Sequence, residues 1–161
     1  MIREIDMLPE VFVDVQGYDG KYKISNHGRM WVKSYTTTSY SEARDSHITT
    51  THGGHFMTQS TNKTTGYVYW GLVKRGEGGR DQSKETGRTA HSLVMQHFGL
   101  NKPTEDYVIN HIDGDKTNNR IDNLEWLTHR ENRLHEAFIR EVERRDKHSV
   151  MRQLNRWAEK L

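Results

Sequence analysis

Apolar positions along the chain come in short runs split by turn chemistry, and they settle into helical spacing only toward the C-terminus. Val11-Phe12-Val13-Asp14-Val15, Tyr22-Lys23-Ile24-Ser25 and Met30-Trp31-Val32-Lys33-Ser34 are strand-like, with turn residues at 17–20 and 26–29 between them. Residues 34–65 hold Thr, Ser, His and Gly with almost no aliphatic side chains, so a long surface loop or ribbon is expected there. Residues 66–73 return to strand, and 76–87 read as a polar hairpin loop. Residues 92–98 predict a short helix with Gly99 as its C′ residue. After Pro103 the pattern is strand (107–111), polar loop (113–123), strand (124–127) and a helix opened by Thr128. Thr128 and Glu131 have the spacing of a capping box. Leu134, Phe138 and Val142 are the expected apolar stripe of that helix. A last amphipathic segment would carry Val150, Leu154, Trp157 and Leu161 on one face.

The composition narrows the chemistry. Apolar residues are 32% and charged residues 29% of the 161 positions, and the mean hydropathy is −0.97, so the core must be thin. No run approaches the ~18 apolar residues of a membrane span, and residues 1–6 lack an apolar signal core, so a cytoplasmic location and no membrane partner are expected. The absence of cysteine removes disulfides, thiol nucleophiles, iron–sulfur clusters and cysteine-rich zinc sites. The net charge of +2 is uneven: −4 over residues 1–20, +6 over 21–90, −3 over 91–128 and +3 over 129–161. Two basic segments therefore flank an acidic, amide-rich one. That pattern suits a polyanion partner with a cation-binding centre between them, or an ordinary solvated surface.

The densest chemistry lies in Asn110-His111-Ile112-Asp113-Gly114-Asp115-Lys116-Thr117-Asn118-Asn119-Arg120-Ile121-Asp122-Asn123-Leu124-Glu125-Trp126-Leu127-Thr128, followed by Glu131-Asn132. A hairpin packed on a helix can bring a strand end and a helix start together around one cation. Read as a calcium loop from Asp113, the frame puts Asn118 where glycine is required and Leu124 where the bidentate glutamate belongs, so that reading fails. No Gly-x-Ser-x-Gly elbow supports a serine hydrolase. An Asx-rich loop bonding only its own backbone is the plainest alternative.

Residues 88–135 resemble the HNH nuclease family, in the branch of phage and intron homing endonucleases. The resemblance rests on Ala90-His91-Ser92-Leu93-Val94, Phe98, Val108-Ile109-Asn110-His111-Ile112-Asp113-Gly114, Lys116-Thr117-Asn118-Asn119, Asp122-Asn123-Leu124-Glu125-Trp126 and Glu131-Asn132. Upstream, Gly17-Tyr18-x-Gly20-x-Tyr22-x-Ile24-Ser25-Asn26-x-Gly28-Arg29 is similar to the modular DNA-recognition segment often placed before such domains. The resemblance implies an α+β fold: a ββα-metal nuclease core with an N-terminal antiparallel β segment and C-terminal helices. The expected division is a recognition segment and polar loop at 1–60, a nuclease domain at 61–135 and a helical extension at 136–161. The implied activity is hydrolysis of phosphodiester bonds in double-stranded DNA. His111 would be general base, since an imidazole titrating near ~6.5 can take a proton from water at neutral pH. Asn110 and Asn132 would offer amide oxygens to one Mg²⁺ or Mn²⁺, with no zinc expected. Asn123 would tie the loop to the helix through backbone hydrogen bonds. Many family members have Asp where this chain has Asn110, and a neutral amide holds a cation more weakly. Lys21, Lys23, Arg29, Lys33, His91, Lys116, Arg130, Arg133 and His135 are the candidate DNA contacts.

Bland readings stand beside some of these. His91 fits a core-helix residue as well as a site or DNA residue. His135 could reach the metal or a phosphate. His47, His52 and His55 suit a DNA-facing loop better than a metal cluster, and Trp31, Trp70 and Trp126 are expected in the core. A monomer that nicks is favoured over a homodimer. The alternatives in function are a DNA-binding regulator with a decayed nuclease site and a packaging-associated phage nickase acting within an assembly.

Overall fold

The computed structural model describes residues 9–73 and 86–158, with side chains described as far as Asp146. The chain divides into two compact units, Met1–Asn101 with Lys116–Leu124 and Lys102–Asp115 with Glu125–Leu161.

In the first unit, β1 (Phe12–Asp14), β2 (Tyr22–Ser25) and β3 (Met30–Val32) form an antiparallel sheet, and β6 (His55–Phe56) extends it along β3 with Trp31 opposite Phe56. Between β3 and β6 the chain runs out and back as β4 (Tyr35–Ser41) and β5 (Ser46–His52), paired in register from Tyr35 opposite His52 to Ser41 opposite Ser46. The Thr-rich stretch is thus a two-stranded ribbon, with nearly every residue exposed. Its rungs are side-chain pairs: Tyr35 stacks on His52 at 4.6 Å, and the Thr38 and Thr49 hydroxyls are 3.1 Å apart.

A second sheet pairs β7 (Ser60–Thr61), β8 (Val68–Leu72) and β9 (Thr86–Thr89). On β8 Val68, Trp70 and Leu72 are buried while Tyr69 faces solvent, the two-residue period of a half-covered strand. Helix α1 (Ala90–Phe98) starts two residues earlier than its sequence pattern suggests and buries Ala90, Leu93, Val94 and Met95. It packs against β2, β8 and β9. The expected loop at 76–87 falls mostly outside the described residues.

Gly99 ends α1 in extended backbone (φ −81°, ψ 170°) rather than as a left-handed C′ residue. Space explains the glycine: a Cβ there would lie 2.8 Å from the Met95 carbonyl oxygen and 2.9 Å from its Sδ.

The segment 116–124 belongs to this unit, so the compact units cut the chain differently from the consecutive segments 1–60, 61–135 and 136–161. Two contacts seat it. The Ile121 amide donates to the Asn26 carbonyl at 2.8 Å, and Gly28 sits so close to Asn119 that a Cβ would come within 2.7 Å of it.

β10 (Tyr107–His111) pairs with β11 (Leu124–Thr128), which belongs to the second unit from Glu125 on, and α2 (His129–Ala158) follows directly. The capping box forms as expected: Glu131 Oε2 accepts from the Thr128 amide at 2.9 Å, and Thr128 Oγ1 accepts from the Glu131 amide at 3.3 Å. One continuous helix of 30 residues, about 45 Å long, replaces the two segments expected from the sequence. No glycine or proline interrupts it, and Glu136–Arg140, Glu141–Arg144 and Glu141–Arg145 pairs brace its surface.

The stripe of Leu134, Phe138 and Val142 does not pack: these residues are 63%, 65% and 39% exposed. The helix instead lays the neighbouring stripe, His135 and Ile139, on the turn after β10. One residue along a helix is a rotation of about 100°, and the narrow hairpin covers only that one stripe. Val150, Leu154, Trp157 and Leu161 lie outside the residues whose side chains are described. Among the described residues no helix is long and apolar enough to cross a membrane.

Candidate active site

Strand β10 becomes buried toward its end: Asn110 is 5% and His111 4% exposed. The turn that follows fixes where the strand stops. The Gly114 amide donates to the His111 carbonyl at 3.0 Å, and Asp113 Oδ1 accepts from the Asp115 amide at 2.8 Å, an Asx turn. Gly114 has φ +78°, and a Cβ on it would press on Ile139 Cγ2 at 3.0 Å, so the turn favours glycine. His135 Nε2 lies 3.0 Å from the Ile112 carbonyl oxygen and ties this turn to α2. That nitrogen is used inside the unit, which argues against His135 as a ligand through it.

Asn110 and Asn132 are the amide donors expected from the sequence. Asn110 Nδ2 donates to Glu125 Oε1 at 2.9 Å, across from β10 to β11. Asn132, in the first turn of α2, reaches Glu136 Oε1 with its Nδ2 at 3.4 Å. In both, the nitrogen is the end engaged, and an amide presenting its oxygen fits a hard divalent cation such as Mg²⁺ or Mn²⁺. Among the described residues no three His, Asp or Glu side chains are grouped to hold a metal, so a cation at this end of the unit would draw on such amide oxygens.

Apart from Arg130 and Arg133 on α2, the remaining candidates lie in the first unit. Asn123 ends a short 3₁₀ turn (Ile121–Asn123) and donates from Nδ2 to the Asn118 carbonyl at 2.9 Å. This bond closes the 118–123 loop on itself. Asn119 likewise donates to the Thr117 carbonyl at 2.9 Å. His91 stands with Nε2 3.3 Å from Thr89 Oγ1 and its ring 4.6 Å from Tyr67. Lys116 lies over the same Tyr67 ring at 4.7 Å and donates to the Thr65 carbonyl at 3.1 Å.

The basic residues near the N-terminus are largely engaged within the unit. Arg29 forks onto Glu10 and covers the Phe56 ring at 4.6 Å. The guanidinium holds the Glu10 carboxyl below the usual carboxylate range. Lys33 bonds Asp14 at 3.0 Å, and Lys23 stands 4.0 Å from the same carboxylate. Lys21 sits over the Tyr22 and Tyr35 rings beside a cavity of about 430 Å³ at the root of the ribbon. Arg130 and Arg133 are exposed on the first turns of α2. His47, His52 and His55 do not converge: His47 meets Tyr40 edge-on, His52 bonds Thr37, and His55 faces the Gly53 carbonyl. Trp70 is in the core, whereas Trp31 and Trp126 are only half-buried.

The sequence reading passed over Glu125, Glu10 and Asp14. Glu125 lies within the quoted stretch, but only the pairing of β10 with β11 brings it to Asn110.

Residues 88–134 match the family described as HNH endonuclease, and residues 10–73 match the NUMOD4 motif. The chain is 32% identical over 120 residues to DNA endonuclease I-HmuI of Bacillus phage SP01, covering 74% of this chain and 53% of that protein. An HNH endonuclease of Acanthamoeba polyphaga mimivirus is 52% identical over 46 residues, 28% of this chain and 12% of its own length. Among solved structures, the HNH homing endonuclease I-HmuI, described in its DNA binding and cleavage, superposes with a TM-score of 0.52 at 28% identity. That match covers 79% of this chain and 57% of the other. The chain thus spans little more than half the length of this phage relative.

Proposed function

On the premise that residues 88–134 are an HNH endonuclease domain and residues 10–73 a NUMOD4 motif, we propose that the protein is a DNA endonuclease of the homing type. It hydrolyses phosphodiester bonds in double-stranded DNA and cuts one strand per binding event. The observation that carries the reading is the burial of Asn110 and His111 together at the end of β10, in the unit whose helix presents Asn132 in its first turn. Burial at this strand end withdraws both side chains from bulk water, and Asn110 is hydrogen-bonded there to Glu125.

His111 takes the proton of the attacking water. An imidazole needs no change of pH to do so, and a positioned general base contributes roughly 10²–10⁴ in rate. Asn110 and Asn132 hold one divalent cation, Mg²⁺ or Mn²⁺, by their amide oxygens. When bound, that cation supplies positive charge to the scissile phosphate and the leaving 3′-oxygen. Asn123, buried among the loop carbonyls, keeps the 116–124 segment in shape. His91 and Lys116, gathered on Tyr67, and Arg130 and Arg133 on α2 contact phosphates. Lys21, Lys23, Arg29 and Lys33 do the same in the first unit, where Lys23, Arg29 and Lys33 exchange their internal acidic partners for the backbone of the duplex.

The test is cleavage of supercoiled plasmid with Mg²⁺, with Mn²⁺ and with EDTA. Nicked circles that form with either metal and vanish with EDTA are expected. DNA retarded in a gel but never cut with any metal would make the protein a binder with a decayed site.

A further inference from the structure

We infer that Glu125 is a positioning residue for the cation proposed at Asn110: its carboxylate fixes which end of the Asn110 amide is presented to that cation. The inference rests on the nuclease reading above and adds to it a residue that touches neither metal nor DNA.

An asparagine side chain can offer a neighbour either its oxygen or its NH₂, the two related by half a turn about χ2. Only the oxygen can hold a cation. Asn110 is 5% exposed, so a wrong end cannot simply be left to bulk water. Glu125, half-buried on the adjacent strand, accepts from Asn110 Nδ2 at 2.9 Å. An ionised carboxylate accepts and never donates, so the rotated amide would set Oδ1 against a carboxylate oxygen with no proton between them. Hydrogen bonds to an ionised acceptor are also about twice as strong as neutral ones. The pair therefore selects one rotamer end and directs Oδ1 away from β11. Partners of this kind behind a ligand change metal affinity or activity by about 10–100-fold when removed. Glu125 also brings a negative charge beside a ligand that is itself neutral.

The experiment uses the full chain with Glu125→Ala and Glu125→Gln. Mn²⁺ is titrated while paramagnetic broadening of the Asn110 side-chain NH₂ signals is followed by NMR, and plasmid nicking is measured over the same concentrations. Thermal unfolding of both variants reports whether the hairpin still folds. Glu125→Ala is expected to raise the half-saturating Mn²⁺ concentration about 10–100-fold in both readouts. Glu125→Gln fills the same space but can donate as well as accept, so it no longer selects one end of the Asn110 amide and should keep most of that loss, whereas a packing role alone would be rescued by it. A Glu125→Ala protein that folds, cuts and broadens at the wild-type midpoint overturns the positioning role and leaves the nuclease reading intact. A Gln variant that folds and recovers the wild-type midpoint also overturns it, because the space is then all that Glu125 supplies. Wild-type protein that neither broadens at Asn110 nor nicks DNA overturns the nuclease reading, and this inference with it.

Discussion

Every buried apolar side chain among those described, from Val15 and Ile24 through Trp70 and Leu93 to Leu124, lies in the first unit, whereas the buried residues of the second are Asn110 and His111. The first unit is held by apolar burial, worth roughly 1.5–3 kcal/mol for each large side chain withdrawn from water. The second, among its described residues, is held by a capping box, by salt-bridged pairs along an exposed helix, by Ile139 and His135 set against the turn after β10 and by hydrogen bonds such as Asn110 to Glu125. The proposed chemistry sits where hydrophobic stabilisation is least. Polar groups kept out of water are a poor way to stabilise a fold, and their concentration at one strand end is what a site requires.

The widest gap between the units should appear when one buried residue is removed from each. His111→Ala should lower cleavage by roughly 10²–10⁴ while DNA affinity and the melting temperature hardly move. Cleavage close to wild type would take His111 out of the reaction.

The converse change is Ile24→Ala. Ile24 is fully buried on the first sheet, and truncating such a residue costs about 2–5 kcal/mol. Hydrogen exchange should show faster opening of β2 and β3, with cleavage at low temperature little altered per folded molecule. A cost below ~1 kcal/mol would mean that the first unit does not depend on its core, and the contrast between the units would fail.

The same contrast explains how much was legible before the fold was known. Strands β2, β3 and β8 and helix α1 announce themselves by alternation or helical spacing, because apolar side chains there do bury. The resemblance placed Asn110, His111 and Asn132 in one site, and the structure puts all three in one unit. Where apolar residues do not decide the packing, the pattern misleads. Leu134, Phe138 and Val142 have ideal spacing, yet a turn made of Ile112 and Gly114 takes the adjacent stripe through His135 and Ile139. The ribbon at 35–52 has no alternation, since neither face has a core to meet, and its pairing rests on rungs such as Tyr35 on His52. The bonds of Glu125 to Asn110 and of Asn123 to the Asn118 carbonyl were hardest to read, because they depend on which strand or carbonyl lies beside each side chain, and no spacing within one segment encodes that.

The smallest effect, and the one that most directly distinguishes a polar unit from an apolar one, is acid sensitivity at the start of α2. The Thr128 amide and hydroxyl hold the Glu131 carboxyl below the usual carboxylate range. Arg144 and Arg145 pull the Glu141 carboxyl down to about 2. A carboxyl whose folded pKa is depressed stabilises the fold fully above its unfolded value, and that contribution is lost as pH falls through the folded one. The helix should therefore loosen in steps below the ordinary carboxylate range, the Glu131 contribution going first and the Glu141 contribution last, near pH 2. Both groups are solvent-exposed, so added salt should blunt the Glu141 step. The first unit has depressed carboxyls too, Glu10 beside Arg29 and Asp122 beside Arg120, but its core remains when they are protonated. Circular dichroism at 222 nm, followed from pH 6 down to 2, should show helix lost while tryptophan fluorescence from the buried Trp70 changes later. Thr128→Ala should cost about 1 kcal/mol at neutral pH as a lost cap and shrink the Glu131 step, since the amide of residue 128 still donates to that carboxylate while the hydroxyl no longer does. If the helical and fluorescence signals fall together, and Thr128→Ala leaves the acid profile unchanged, the second unit is not held by its polar cap.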